Sequence, residues 1–84
     1  MSENSSVLIV DDEHDIRELL VLTLGRMGLR TDTAANLASA RQLLGTSDYD
    51  LCLTDMRLPD GSGLELVNEI SARFPDTPVA MITA

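Results

Sequence analysis

Lysine and tryptophan do not occur in these 84 residues, and cysteine, tyrosine and phenylalanine occur once each. The lone Cys52 cannot close an internal disulfide, and its place inside an apolar run reads as a small core residue. With aromatics at 2%, any core must be aliphatic, built from Leu, Val, Ile, Ala and Met. Positive charge is scarce as well: six arginines face fourteen acidic residues, for a net charge of −8. That balance argues against a direct grip on nucleic acid or on an anionic membrane, both of which repel such a chain. It favours cations and basic partners. No apolar run approaches the roughly 20 residues of a membrane span. The polar start, Met1-Ser2-Glu3-Asn4-Ser5-Ser6, lacks the basic-then-apolar pattern of a signal peptide, so a cytoplasmic location is expected. A hydrophobic content of 44% suits a globular core, and the length allows one domain at most.

What is present alternates between short apolar runs and helical periodicity. Residues 1–6 read as a loose tail. A strand is expected at Val7–Val10, then a loop, then a helix over Asp15–Met27. Ile16, Leu19, Leu20, Thr23, Leu24 and Met27 recur there at helical spacing, with Gly28 as the stop. Thr31 and Thr33 give Arg30–Ala34 strand character. Asn36 can cap a helix over Leu37–Leu44 that carries Ala40, Leu43 and Leu44 on one face and ends at Gly45. Asp50–Thr54 reads as the third strand, and Pro59 with Asp60-Gly61 as a turn. A helix over Ser62–Phe74 places Leu66 or Val67, Ile70 and Phe74 inward. Pro75 and Pro78 bracket a turn before a fourth strand, Val79–Ile82. The order βαβαβαβ, with a helix in each crossover, implies parallel strands and right-handed connections. Three helices are too few to cover both faces of a parallel sheet, and the fourth strand is left as an unpaired apolar edge, so the chain reads as a truncated domain.

The chemistry gathers in three acids. Asp11 and Asp12 end the run Val7-Leu8-Ile9-Val10, and Asp55 ends Leu51-Cys52-Leu53-Thr54. If those strands are parallel neighbours, all three carboxylates share the carboxyl edge of the sheet, where open α/β sheets bind ligands. Carboxylates so placed repel one another unless a cation holds them, which points to a divalent metal, Mg²⁺, at a phosphoryl site. Asp55 is then the candidate nucleophile, able to form an acyl phosphate. Asp12 and Asp55 would ligate the metal directly, with Asp11 acting directly or through water. The backbone carbonyl of Arg57 is a further candidate ligand, and the Thr83 hydroxyl could donate to a phosphoryl oxygen. His14 reads as a solvent-exposed loop residue, Glu13 and Asp15 as decoration of a helix start, the Arg57 side chain as solvated, and Asp48, Asp50, Asp60 and Asp76 as turn residues.

Taken together, Leu8-Ile9-Val10-Asp11-Asp12-Glu13, the stretch Leu53-Thr54-Asp55-Met56-Arg57-Leu58-Pro59-Asp60-Gly61-Ser62-Gly63 and Val79-Ala80-Met81-Ile82-Thr83-Ala84 resemble the receiver domain of bacterial two-component response regulators. The likeness runs from about residue 7 to residue 84. Its wording is most similar to receivers of the NtrC class, and within it to regulators of type IV pilus genes. The resemblance implies a flavodoxin-like (CheY-like), doubly wound parallel sheet of order 2-1-3-4, with the fifth strand of the family absent. It implies a sensor histidine kinase as partner and Asp55 as phosphoacceptor. It also implies Mg²⁺ on Asp11, Asp12, Asp55 and the Arg57 carbonyl, with Thr83 as the phosphate-sensing hydroxyl. The chain departs from the family in lacking its fourth helix, its lysine-bearing fifth strand and its fifth helix, as well as any transcriptional output domain. The resemblance implies a phosphoacceptor module rather than a turnover enzyme.

Two other functions compete. A self-associating module, forming a homodimer or domain swap through the exposed strand edge, would use the fourth strand. An aspartate-based phosphatase of the haloacid dehalogenase type expects a second acid two residues past its nucleophile, and Asp55 has Arg57 there.

Overall fold

The apolar runs form the centre of a parallel sheet. In the computed structural model, which describes residues 5–82, the elements in chain order are β1 (Ser6–Val10), α1 (His14–Arg26), β2 (Arg30–Ala34), α2 (Leu37–Thr46), β3 (Leu51–Asp55), β4 (Arg57–Leu58), β5 (Gly61–Ser62), α3 (Gly63–Arg73) and β6 (Val79–Ile82). The main sheet has the order β2-β1-β3-β6 and every pairing in it is parallel. The chain steps outward once, from β1 to β2, and then back across β1 to β3 and β6. Right-handed crossovers therefore put α1 on one face and α2 with α3 on the other.

The pleat then decides which residues meet which helices. Leu8 stands beside Asp32 and Cys52, and Val10 beside Ala34 and Thr54, so these side chains share one face. They join Leu37, Ala40 and Leu44 of α2 and Leu66 and Ile70 of α3 in a single buried cluster. Val7 and Ile9 point to the α1 face and are also buried. Cys52 lies in the first cluster, where burial pushes its thiol up to about 12, so it packs as an inert small residue.

The two faces are unequally covered. None of the residues of α1 is buried. Ile16, Leu20, Val21 and Leu24 are half-buried, whereas Leu19 is 60% exposed and Met27 69%. The inward stripe is therefore narrower than the sequence spacing suggests, because α1 rests over β1 and β2 at one side of the sheet and its flank residues find nothing to touch. Over the rest of that face Leu51 and Leu53 are half-buried and Ala80 of β6 is exposed.

Several boundaries differ from the sequence expectation for local reasons. Ser6 belongs to β1 rather than to a tail: its N–H donates to Asp50 Oδ2 at 2.8 Å and its hydroxyl to the Asp48 carbonyl at 3.0 Å. Residues 1–4 lie outside the described residues. Gly45 does not stop α2, which continues to Thr46 and ends where Ser47 turns extended and its N–H donates to the Leu43 carbonyl. Gly28 does act as a stop, because its φ of 85° suits a residue without Cβ, and its N–H and that of Leu29 donate to the last carbonyls of α1. Of the two inward candidates in α3, Leu66 is buried and Val67 half-buried.

Leu66 is fully buried between α3 and the sheet. Leu66→Ala is expected to cost about 2–5 kcal/mol, a large part of what a small domain possesses. Urea unfolding followed by circular dichroism measures it.

Candidate metal centre

β1 and β3 are paired with Val10 beside Thr54, so the next residue of each chain, Asp11 and Asp55, emerges at the same edge. Asp12 follows one residue later. The outcome is a cluster in which one carboxylate oxygen from each of Asp11, Asp12 and Asp55 lies within 4.8 Å of the others. Asp11 is buried, Asp55 half-buried and Asp12 exposed, so the group opens to solvent on one side.

Asp11 is held from three directions. Its N–H donates to the Ala34 carbonyl of β2 at 3.0 Å. Its carbonyl accepts from Arg17 Nη1 at 2.7 Å. Its carboxylate Oδ1 accepts the Glu13 N–H at 2.8 Å, an Asx turn that starts the loop into α1. Arg17 reaches back from the first turn of α1, and nothing in the local sequence marks it for this task. Among the described residues no arginine forms a salt bridge with any of the three carboxylates, and Arg17 meets Asp11 through its backbone carbonyl. A set of three hard anionic oxygens, one of them open to water, fits Mg²⁺, which takes one or two carboxylates and keeps several waters.

The loop after Asp55 is more ordered than a turn. Arg57 pairs with Ser62 and Leu58 with Gly61 in the small antiparallel β4–β5 hairpin, with Pro59 and Asp60 at its tip. At its neck the Gly63 N–H donates to the Met56 carbonyl at 2.7 Å, and Ser62 caps α3 in a reciprocal arrangement with Glu65. A Cβ on Gly63 would collide with the Asp55 carbonyl and crowd Met56 Cα. Only glycine allows this approach of the helix start to the Asp55 backbone. Gly63 ends the central motif of the family resemblance, but its close approach to the Asp55 carbonyl is visible only in the structure.

At the hairpin tip the structure corrects the role of Asp60. It is more than a turn residue: its Oδ1 accepts the Leu37 N–H at 2.8 Å and its Oδ2 the Ala38 N–H at 3.0 Å, so it caps α2 from 22 and 23 residues away. Those two N–H groups, Leu37 first, hold its carboxyl below the ordinary 3.8.

Arg57 sits on β4 with its side chain exposed, as expected, two residues beyond Asp55. His14 is exposed as expected, but it opens α1 rather than lying in a loop, and its Nε2 stands 3.5 Å from Glu18 Oε2 one turn on. Thr83 lies outside the described residues.

Two outcomes are expected. Gly63→Ala lowers the urea midpoint through the collision with Asp55, whereas Gly25→Ala, in α1 with open space around the position, raises stability by about 0.5–1 kcal/mol. Asp60→Ala lowers Tm at neutral pH. Because the folded carboxyl titrates below its unfolded value of 3.8, this contribution is present above about pH 4 and fades as pH falls through the depressed value. The gap in Tm between parent and Asp60→Ala should therefore narrow below pH 4 in calorimetry.

Comparison with known proteins gives a consistent outcome. Residues 7–84 match the family described as response regulator receiver domain. The chain is 69% identical over 77 residues to the response regulator protein PilR of Pseudomonas aeruginosa, covering 92% of this chain and 17% of that protein. It is 37% identical over 78 residues to the DNA-binding transcriptional regulator NtrC of Escherichia coli K12, covering 93% of this chain and 17% of that protein. The chain thus spans about a sixth of the length of these curated relatives. Among solved structures it resembles the response regulator TrrA of Thermotoga maritima in complex with Mg²⁺ and BeF, with a TM-score of 0.85 and 39% identity over 89% of this chain and 65% of that one. TrrA in complex with the histidine kinase ThkA is similar as well, with a TM-score of 0.89 over 95% of this chain and 69% of that one.

Proposed function

The chain belongs to the response regulator receiver family, and from that premise we propose that it accepts a phosphoryl group on Asp55 from a sensor histidine kinase, with Mg²⁺ held by Asp11, Asp12, Asp55 and the backbone carbonyl of Arg57. The observation that carries this reading is the convergence of the three carboxylates within 4.8 Å, with no salt bridge to any of them among the described residues. The similarity to TrrA, which is known with Mg²⁺ and BeF and with its kinase, supports it.

A carboxylate oxygen of Asp55 attacks phosphorus. The new O–P bond forms as the bond from phosphorus to the kinase's histidine nitrogen breaks, and the electron pair leaves on that nitrogen, which takes up a proton. Bound Mg²⁺ supplies positive charge that screens the carboxylate from the phosphoryl oxygens. Asp11, fixed by Glu13, Ala34 and Arg17, holds its position without reorganisation. Thr83, the residue after β6, is assigned the phosphate-sensing hydroxyl on the family pattern. One phosphoryl group is taken per chain and the acceptor itself is altered, so this is a signalling acceptor rather than a turnover enzyme. The reading extends to transcriptional control, the activity for which NtrC is named, and to a cytoplasmic location.

Incubation with phosphoramidate and Mg²⁺, followed by intact-mass measurement, tests it. The parent gains one phosphoryl mass and Asp55→Asn gains none, and chelation of Mg²⁺ abolishes the gain. Asp55→Asn phosphorylated to the parent's extent overturns the assignment.

A second reading has its own observation. β6 pairs only with β3 among the described residues, and its Val79, Met81 and Ile82 are half-buried. Such an edge favours pairing with a second copy. Light scattering at tens of micromolar is then expected to report a dimer mass or larger, and a clean monomer counts against it. The phosphatase reading is disfavoured, since Arg57 stands where its second acid belongs.

A further inference from the structure

Among the described residues, Asp60 is the carboxylate that joins the segment after Asp55 to an element remote in sequence. The segment is anchored at three points. At its neck, Gly63 and Ser62 both donate to the Met56 carbonyl. Along its length, Leu58 is buried in the same cluster as Leu37 of α2. At its tip, both oxygens of Asp60 take the amides of Leu37 and Ala38. The side chain of Asn36, the local cap of α2, takes the Ser39 amide at 2.8 Å and its carbonyl the Ala40 amide at 3.1 Å, which leaves those of Leu37 and Ala38. The first turn of α2 therefore depends on the hairpin for the amides its own cap leaves over, and the hairpin depends on α2 for the placement of its tip. Arg41, one turn further along α2, is bound through Nε to both carboxylate oxygens of Glu69 in α3, at 3.0 and 3.1 Å. α2 is thus tied to the helix whose start touches the Asp55 backbone.

We propose that Asp60 is a positioning residue. Its carboxylate pins the tip of the β4–β5 hairpin to the N-terminus of α2, so that occupancy of the acidic site and order in the first turn of α2 are energetically coupled. This rests on the proposed metal site at Asp11, Asp12 and Asp55. The physical ground is that a hairpin closed at its neck and pinned at its tip cannot shift at Arg57 without moving Asp60. An anion at a helix N-terminus is favourably placed, which adds to the two hydrogen bonds of the pin. Coupling of this kind is reciprocal: what binding does to the amides of α2, loss of their partner does to binding.

The test is amide hydrogen exchange on the chain with and without Mg²⁺ plus beryllofluoride, alongside Mg²⁺ titrations of the parent, Asp60→Ala and Asp60→Asn. In the parent, exchange of the Leu37 and Ala38 amides is expected to slow by about fivefold or more on ligand addition, while that of Leu43 and Leu44, deeper in α2, changes little. Asp60→Ala is expected to weaken Mg²⁺ binding by about fivefold and to abolish the ligand-dependent protection. Asp60→Asn, which keeps one acceptor oxygen, restores part of both. A purely structural cap would change the basal exchange rate but not its response to ligand. If the parent binds Mg²⁺ and its Leu37 and Ala38 amides do not respond, the coupling is overturned and the metal site stands. If Asp60→Ala binds as tightly as the parent, the positioning role is overturned. If the parent binds no Mg²⁺, the site reading falls and the coupling with it. Should neither variant fold, the response of the parent's amides decides alone.

Discussion

Parallel pairing of β1 with β3, in the register that sets Val10 beside Thr54, is the constraint on which the chemistry of this molecule depends. It ends two buried strands at one edge, so the residues that follow them, Asp11 with Asp12 and Asp55, have no choice but to meet. A slip of one residue would turn Asp55 to the other face and drive apolar side chains out of the core. Burial of Leu8, Ile9, Val10 and Cys52 therefore holds like charges together: the hydrophobic free energy of the central strands opposes the mutual repulsion of three carboxylates. Such a site is poised for a cation, since a cation removes a cost the fold already bears.

Around that edge the backbone is arranged to hold Asp11 and Asp55 in place. Arg17, Glu13 and Ala34 fix Asp11 by its carbonyl, carboxylate and N–H. Gly63 brings the start of α3 against the Asp55 carbonyl, where any larger residue would intrude. Fixed surroundings of this kind leave little reorganisation when a ligand arrives.

The two faces of the sheet contribute unequally. α2 and α3 enclose a dense aliphatic cluster with Leu8, Val10 and Cys52, into which Tyr49 also packs, its hydroxyl donating to Asp32 at 2.7 Å. Burial, and then that bond, push the phenol up to about 12, so it remains a neutral donor. The α1 face is lean, with exposed Leu19 and Leu22. Cohesion in this chain thus sits mainly on the α2–α3 side, the side that also carries the hairpin and its pin on α2.

Local pattern was enough for the four strands of the main sheet, the three helices and the acids, but not for the β4–β5 hairpin, whose residues read only as a turn. Alternating apolar runs and helical spacings set the βαβαβαβ order, because strand burial and helical periodicity are properties of neighbours in sequence, and acids directly after apolar runs marked the edge for the same reason. Boundaries that depend on partners were not legible. Gly45 reads as a stop until α2 is seen to continue through it, and Leu19 reads as inward until α1 is seen resting at the side of the sheet. Asp60, Arg17 and Gly63 escaped for a deeper reason: each acts on a residue 23, 6 or 8 positions away, across contacts that exist only after the strands have paired. Sequence alone determined which side chains could carry charge and chemistry in this protein. Tertiary structure decided which of them would be held, capped and crowded into a working edge, since hydrogen-bond reach and steric exclusion act through space and not along the chain.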